Sequence, residues 1–292
     1  MHSKKLNTLS EKIFVGIVYA FIAIFALFCF IPFYLIYVNS VADESILASG
    51  LTFIPKIFSL EAYKFLFSTD QIYRSFGISV FITVVGTALS VVITAMYAYV
   101  ASHRKIKYKN FLSFYIYFTM LFTPGLVGYY LLVTQWLGLK NNIWALIIPS
   151  LFSVWNAFLF SSFFKMLPYE LYEAATVDGA NDIFIFFKII WPVSKPILAT
   201  VTLFNALAYW NDWFNALLFI DDSRMHPLQM LIRTIIGNAS AASTIPIPAG
   251  TSIPTFGTQL ATVCVTIGPI VLLYPFLQKY FVKGITIGAV KG

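Results

Sequence analysis

Long apolar stretches without charged side chains limit the architectures open to this chain. From Phe14 to Val38 no Asp, Glu, Lys or Arg occurs, and a helix of about 20 such residues crosses the hydrocarbon core of a bilayer. Five more apolar stretches follow along the 292 residues. We therefore predict an all-α membrane protein with one transmembrane domain over residues 1–292. Its six predicted membrane-spanning helices lie at 14–38, 76–101, 111–134, 143–164, 197–220 and 260–277.

The composition argues against several other classes of protein. Only 11% of the residues are charged, whereas a soluble domain averages about 25%. The net charge of +7 comes from basic residues scattered at the ends of apolar stretches, which argues against binding to nucleic acid. Cys29 and Cys264 lie within apolar stretches, so we expect free buried thiols rather than a disulfide. Because the sequence has no phosphate-binding loop and no His/Cys cluster with metal spacing, we expect the chain itself to bind no cofactor.

The basic residues predict the side of the membrane on which each connecting segment lies. Lysine and arginine are concentrated in the N-terminal tail, in residues 103–109 and at the C-terminal end. Basic connections of membrane proteins stay in the cytoplasm, so we predict that both termini are cytoplasmic. Segments 39–74, 135–142 and 221–256 then lie outside. The last of these is rich in Pro, Ser, Ala and Gly and is expected to be a loop.

A polar segment between the fourth and fifth predicted spans, residues 168–192, has a helical pattern of its own. Pro168 suits a first helical turn, and Gly179 tolerates the positive φ that ends a helix. Asn181 can then cap a second helix that runs up to Pro192. On periodicity alone, this helix–glycine–helix unit is explained about equally well as a solvated connection between two spans and as a segment with a function of its own.

Polar and aromatic side chains within two predicted spans are candidates for contact with a solute. Amide and charged groups are costly inside a membrane unless they face protein or water. Trp155 and Asn156 lie near the middle of the fourth span, and Trp210, Asn211 and Asp212 lie in the outer half of the fifth. Aromatic faces beside amides suit sugars. The alternative is that these residues hold helices together, with Asp212 paired to a cation on a neighbouring chain.

The order of residues in segment 168–192 resembles the EAA loop of ABC importer permeases. The matching positions are Glu173, Ala174, Ala175, Asp178, Gly179, Ala180, Ile189 and Pro192. Trp191 departs from the pattern, because the family usually has leucine there. The resemblance implies that the segment is a coupling helix, which docks in a cleft of a cytoplasmic ATPase subunit.

The resemblance extends over nearly the whole chain and favours carbohydrate importers of the maltose-transporter type. Residues 53–63 and the pair Trp210-Asn211 resemble that group, and residues 281–292 resemble the C-terminus of its second permease subunit. Residues 226–233 are similar to a branch associated with complex oligo- or polysaccharides.

A complete importer in the bacterial plasma membrane is what this resemblance implies. Its parts are this chain, a second permease in a heterodimer, two ATP-binding subunits and an extracytoplasmic solute-binding lipoprotein. The ATP is bound by the partner ATPase subunits, the solute is a carbohydrate, and the chain itself is no enzyme.

Two other functions are weighed against this one. A self-sufficient channel or ion-coupled carrier would have ionisable residues in several spans, and inverted repeats with broken helices. Asp212 is the one acid inside a predicted span, and no repeat is visible. A membrane-embedded enzyme needs convergent catalytic residues, but the predicted topology places His103 and His226 on opposite sides of the membrane. The sequence therefore favours the importer.

Overall fold

The computed structural model describes residues 9–242 and 256–271, with side chains described up to residue 238 in the first range. In these ranges all regular structure is helical, and no β-strand occurs apart from one isolated bridge between Ala42 and Phe58. The predicted all-α class is therefore confirmed.

The helices are given in chain order with their bounds. The α-helices are α1 Leu9–Asn39, α2 Glu44–Leu47, α3 Glu61–Phe67, α4 Asp70–Ser102, α5 Lys109–Leu121, α6 Gly125–Leu131, α7 Val154–Met166, α8 Glu170–Val177, α9 Asp182–Phe184, α10 Trp191–Val193, α11 Lys195–Trp210, α12 Phe214–Phe219, α13 Leu228–Ala242 and α14 Phe256–Val271. Two π-helical turns, Leu132–Trp136 and Ile185–Ile190, continue α6 and α9. Turns of 3₁₀ helix lie at Ile143–Leu146, Ile148–Ser150 and Ser223–Met225.

The described residues divide into two compact units. The first contains the chain up to Thr69 together with residues 235–265, and the second contains Asp70–Thr234 together with residues from Thr266 onward.

In the first unit, α1 is a 31-residue apolar helix whose most hydrophobic window is entirely exposed. An apolar helix of this length needs lipid or another chain to cover it. Asn39 at its end ties it to the following loop, because its amide donates to the carbonyl of Thr52 at 2.7 Å and accepts from the Thr52 N–H at 2.9 Å. Glu44 caps the start of α14, where it accepts from the N–H groups of Phe256 and Gly257 at 2.8 and 2.9 Å.

In the second unit, α4 is the central helix, and α7 and α11 pack against it. Its buried face consists mainly of small residues, among them Ser79, Thr83, Gly86, Ser90, Thr94, Ala95 and Ala98. Small side chains let helix backbones approach closely within a membrane. At Gly86 a Cβ atom would lie 2.7 Å from the ring of Tyr209 on α11. Glycine therefore makes room for a buried ring whose hydroxyl donates to the carbonyl of Ile147 at 3.1 Å.

Three of the predicted spans contain breaks. The third predicted span is broken at Pro124-Gly125, where α5 meets α6 at 113°. The fifth is broken near Asp212, between α11 and α12. At the start of the fourth predicted span the structure has 3₁₀ turns bent 44° from α7, whereas the sequence predicts one continuous span there. Pro149 lies in the second of these turns, and proline disrupts a continuous α-helix because it has no N–H to donate.

Length and composition identify two described helices that can cross a membrane, α1 and α4. The number rises to five if each of three bent helix pairs counts as one span. The third of these pairs joins the stretch Asp182–Val193 to α11 at 87°.

Segment 221–256 differs from the expected loop, because it contains the 15-residue helix α13. Leu228 and Met230 in its first turn are buried in the second unit. The Leu228 N–H donates to the Ser79 hydroxyl on α4 at 2.8 Å, so a side chain about 150 positions away satisfies one of the free N–H groups at the start of the helix. The composition of this segment does not predict the helix, because part of the helix's stabilisation comes from distant residues.

The C-terminal part of the chain is described only as far as Val271. The helix α14 overlaps the predicted span 260–277 and begins four residues earlier. Residues 272–277 and the C-terminal residues 281–292 lie outside the described residues.

Candidate coupling and solute-contact sites

Segment 168–192 folds into a helix, a tight turn and a second helical stretch. The first helix, α8, carries Glu170 and Glu173 in its first turn, where carboxylates interact favourably with the helix dipole. It ends at Val177, and two residues later the chain turns at Gly179, whose φ of +82° lies in the left-handed region. The Ala180 N–H donates back to the carbonyl of Ala175 at 3.0 Å, which satisfies one of the free carbonyls at the end of the helix.

The second helical stretch starts as the sequence predicts. The Asn181 side chain accepts from the Phe184 N–H at 2.8 Å and caps α9. The helix continues through the π-helical turn and α10 as far as Val193, one residue beyond the predicted end at Pro192. The predicted helices on either side of Gly179 are therefore both present.

A hydrogen bond joins the two halves of this segment. The Tyr172 hydroxyl on α8 donates to the Asp182 carboxylate on α9 at 2.6 Å. This bond, followed by partial burial, raises the pKa of the Tyr172 phenol above its ordinary value. The pair fixes the angle between α8 and the helix that follows.

Buried residues attach the segment to the helical bundle of the second unit. Ala175 is buried in a core cluster to which α4, α7, α11 and the π-helical turn also contribute, through Val91, Ala95, Ala98, Phe160, Phe164, Ile185, Phe186, Ile190, Leu198 and Val201. Ala180 packs against the same cluster. Because protein interiors are close-packed, a force on α8 is transmitted to the three long helices.

The opposite face of the segment is exposed and combines acidic with apolar side chains. Glu173, Ala174, Asp178 and Gly179 are all exposed. Beside them lie three exposed apolar side chains, Val177, Ile183 and Phe184, of which Val177 is 87% exposed. An apolar patch rimmed by charges is typical of a surface that binds another protein.

Basic and aromatic residues surround the start of α8. The ring centroid of His103 lies 4.2 Å from that of Tyr172, and the Arg104 guanidinium lies 4.8 Å from the centre of the Tyr169 ring. Burial lowers the pKa of the His103 imidazole below 6.5, against the opposing charge of Asp182. The sequence holds no local signal for this contact between loop 103–109 and α8.

The break in the fifth predicted span exposes polar groups near Asp212. Its carboxylate accepts from the backbone N–H of Asn215 at 3.0 Å and from the Asn215 side-chain amide at 2.6 Å. The Tyr129 hydroxyl in turn donates to Asn215 at 2.9 Å. Among the described residues no cation forms a salt bridge with Asp212, so in this part of the chain Asp212 serves as an N-terminal cap for α12.

Two further polar residues of α13 lie beside this break. The Gln229 amide donates to the Asn211 side chain at 3.1 Å, and the Arg233 guanidinium lies 4.1 Å from the centre of the Trp213 ring. Arg233 is exposed and forms no salt bridge within the described part of the chain. Gln229 and Arg233 are not among the predicted solute contacts, because segment 221–256 was expected to be a loop.

The remaining candidates pack in different ways. Trp210 is buried, and its indole N–H donates to the carbonyl of Thr266 at 3.2 Å. Asn156 is also buried and donates to Asn205 on α11 at 3.0 Å. Trp155 is 61% exposed. Asn156 and Trp210 therefore connect helices within the chain, whereas Trp155 and Asn211 are exposed and Asp212 is half-buried.

Comparison with known proteins decides what kind of protein carries these sites. Residues 90–287 match the family described as "Binding-protein-dependent transport system inner membrane component". This chain is a member of that family. The ABC importer permease resemblance carried by segment 168–192 is thereby confirmed, and the chain is a membrane component of a transport system rather than an enzyme.

Two proteins of Bacillus subtilis and one solved structure are similar to this protein over most of the chain. The "Polygalacturonan/rhamnogalacturonan transport system permease protein YtcP" of Bacillus subtilis (strain 168) is 39% identical over 97% of this chain and 100% of its own length. "Protein LplC" of the same organism is 44% identical over 90% of this chain and 89% of its own length. A solved structure, "Crystal structure of a bacterial ABC transporter involved in the import of the acidic polysaccharide alginate", superposes with a TM-score of 0.84 at 28% identity. The match covers 94% of this chain and 99% of the other.

Proposed function

We propose that this chain is one of two permease subunits of a bacterial ABC importer for oligo- or polysaccharide fragments. The observation that carries the proposal is the exposed acidic and apolar face of segment 168–192, mounted on the packed core of α4, α7 and α11. The names of two similar proteins refer to the transport of polygalacturonan and rhamnogalacturonan and to the import of alginate. These names support a polysaccharide-derived solute.

In this proposal segment 168–192 couples the permease to an ATPase subunit. Glu173, Ala174, Asp178 and Gly179 contact the ATPase, while Ala175 and Ala180 anchor the segment to the bundle. The ATP is bound by two partner subunits. Closure of those subunits moves α8, and rigid packing passes the movement to α4, α7 and α11 as a rigid-body rotation.

The solute path in this proposal runs beside the break in the fifth span. Asn211 and Trp155 offer exposed polar or aromatic groups to a sugar, Asp212 offers a half-buried carboxylate, and Trp210 and Asn156 support the wall behind them. Arg233, stacked on Trp213 without an acidic partner in the described residues, gives the path a cation suited to the carboxylates of an acidic sugar.

The proposed topology has six spans over residues 1–292 in a bacterial plasma membrane, with both termini in the cytoplasm. The basic loop 103–109 supports it through the positive-inside rule. After replacement of Cys29 and Cys264 by serine, a cysteine at Lys56 is expected to react with an impermeant thiol reagent in whole cells, whereas one at Lys107 is not. Reaction at Lys107 in intact cells would reverse the orientation.

Uptake by the reconstituted importer tests the function. The chain is co-expressed with a second permease, two ATPase subunits and a solute-binding lipoprotein of the same type of importer, and the complex is placed in liposomes. We expect uptake of oligogalacturonides that requires both ATP and the binding protein. Arg233→Gln is expected to reduce uptake of the acidic sugar more than that of a neutral galacto-oligosaccharide. Uptake without ATP would instead support a channel or ion-coupled carrier.

A further inference from the structure

A cavity of about 440 Å³ lies against the start of α8, where Tyr169 and Tyr172 line it. The end of α4, the start of α5 and the end of α7 form its other walls. Four basic side chains line it, namely His103, Arg104, Lys109 and Lys165. Apolar residues of α7 and of the π-helical turn, including Phe164 and Ile190, complete the lining.

The positive charge in this cavity has no acidic counterpart. No Asp or Glu lines it, and Arg104, Lys109 and Lys165 form no salt bridge with any described residue. The acid that acts on His103 is Asp182, and its carboxylate is already engaged by the Tyr172 hydroxyl at 2.6 Å. A concentration of cations without counter-charge attracts an anion.

Three buried polar atoms at this cavity have no hydrogen-bond partner among the described residues. They are the hydroxyls of Tyr99 and Tyr169 and Nε2 of His103, and all three residues line the cavity. Buried polar groups in folded proteins are nearly always hydrogen-bonded. These three atoms therefore have hydrogen-bonding capacity that the described residues leave unused.

The tautomer of His103 makes its free nitrogen a donor. Nδ1 of His103 accepts a hydrogen bond from the Lys105 N–H at 3.2 Å, so in the neutral imidazole the proton is on Nε2. Burial favours the neutral form by lowering the His103 pKa. The cavity thus offers two hydroxyls and one imidazole N–H as donors beside three cations, a combination suited to an anion with several acceptor oxygens.

We propose that this cavity binds a phosphoryl group and thereby ties loop 103–109 to the start of the coupling helix. Arginine and lysine together recognise phosphate oxygens, and basic pockets at the cytoplasmic ends of membrane helices bind anionic lipid headgroups. The volume exceeds that of a single phosphate and leaves room for an attached glycerol or sugar, which the apolar lining accommodates. The assignment of the cavity to the cytoplasmic side of the membrane depends on the proposed topology. The chemistry of the cavity does not depend on it.

Native mass spectrometry of the full purified chain tests the proposal without any transport assay. The delipidated protein is titrated with phosphatidylglycerol, with zwitterionic phosphatidylcholine and, separately, with glycerol 3-phosphate. We expect phosphatidylglycerol to bind at least about 10-fold more tightly to the wild type than to Arg104→Gln/Lys165→Gln, since each charged hydrogen bond contributes a factor of about ten or more. Phosphatidylcholine is expected to bind both proteins equally.

Matched controls separate this cavity from general attraction of the basic loop for anions. Lys107→Gln and Lys188→Gln each remove an exposed cation that does not line the cavity, and both are expected to bind phosphatidylglycerol like the wild type. Competition by glycerol 3-phosphate identifies a soluble phosphate ester as a sufficient ligand, and its failure to compete identifies the lipid headgroup. Both results support a phosphoryl site.

Two results would overturn the proposal. One is equal binding of phosphatidylglycerol by the wild type and Arg104→Gln/Lys165→Gln, and the other is an equal loss of binding in the control variants. Thermal unfolding of each variant without ligand shows whether the fold is intact, and Lys165→Gln alone, at an exposed position, provides a second variant if the double change unfolds. Since no uptake is measured, failure of the proposed carbohydrate import would leave this result unaffected.

Discussion

The hydroxyl of Tyr172 and the carboxylate of Asp182 are 2.6 Å apart and join the two helices that flank the turn at Gly179. The bond joins α8 to α9 through side chains, while the Ala180 to Ala175 bond closes the same turn through the backbone. In the proposed coupling role segment 168–192 has to be stiff, and these two bonds are the contacts that would make it so.

Removal of the Tyr172 hydroxyl is expected to weaken coupling without preventing assembly. In Tyr172→Phe the ring still packs against His103, but the bond to Asp182 is lost. We expect fewer solute molecules transported per ATP hydrolysed by the reconstituted importer, by roughly two- to tenfold, the range of one net hydrogen bond. Tyr108→Phe, at an exposed tyrosine, is the control. An unchanged ratio in Tyr172→Phe would show that the backbone turn alone is stiff enough.

Gly179 is expected to matter for its backbone conformation rather than for its small size. A Cβ atom at this position meets no atom within 4 Å, but φ is +82°. A β-branched residue is strained there, whereas asparagine adopts this region readily. Gly179→Val is therefore expected to uncouple ATP hydrolysis from uptake at normal expression, and Gly179→Asn to keep most of the activity. Equal activity of the two variants would rule out a backbone effect.

The charge of Glu173 is tested separately from the turn. Glu173 is exposed in the first turn of α8, so Glu173→Lys leaves the packing intact while it reverses the charge offered to the ATPase. We expect normal membrane insertion, weaker co-purification of the ATPase subunits, and uptake reduced at least about tenfold. Glu170→Lys, one turn earlier, shows how far the effect is specific to position 173.

Substitutions of Asp212 separate its charge from its capping bonds. Asp212→Asn keeps an acceptor for the Asn215 N–H but removes the charge, and Asp212→Ala removes both. If Asp212 faces the solute, Asp212→Asn assembles normally and changes the uptake rate or the preference among sugars, while Asp212→Ala is also less stable by about 1 kcal/mol through loss of the cap. Failure of the two permeases to co-purify in Asp212→Asn would indicate instead a structural ion pair with the second permease.

The protein is expected to lose stability in mild acid partly through His103. Burial lowers the pKa of its imidazole below 6.5 in the folded state, although Asp182 opposes this shift and Lys105 and Lys109 reinforce it. Well above about pH 6.5 the imidazole is neutral in both the folded and the unfolded state, so it does not make the free energy of unfolding depend on pH. As the pH falls below this value the unfolded chain takes up the proton first, so unfolding becomes more favourable.

Thermal unfolding in detergent between pH 7.5 and 5 measures this contribution. His103→Gln is expected to lose less stability over this range than the wild type. The same loss in both proteins would mean that other groups cause the acid sensitivity, and a larger loss in the variant would mean that the His103 pKa is raised instead of lowered.

Much of the architecture follows from sequence because its causes are local. Charge-free runs such as 14–38 cannot stay in water, so the sequence determines an all-helical membrane protein. The turn at Gly179 and the cap at Asn181 depend on the conformational and hydrogen-bonding properties of single residues, and the structure has both where the sequence predicts them. The order of residues from Glu173 to Pro192 was also sufficient to indicate the family.

Contacts between distant residues decided the rest. The Leu228 N–H is satisfied by Ser79, and Arg104 stacks on Tyr169, yet in each pair neither residue signals its partner in the sequence. The helix α13 was therefore missed, and so was the basic cavity beside α8. Spans identified from average hydropathy also did not show the 3₁₀ turns before α7, because hydropathy measures the preference for lipid and not the path of the backbone. The sequence determined which residues enter the membrane, and the tertiary structure decided which polar groups meet there, since buried polar groups are satisfied by whichever partners the fold brings near.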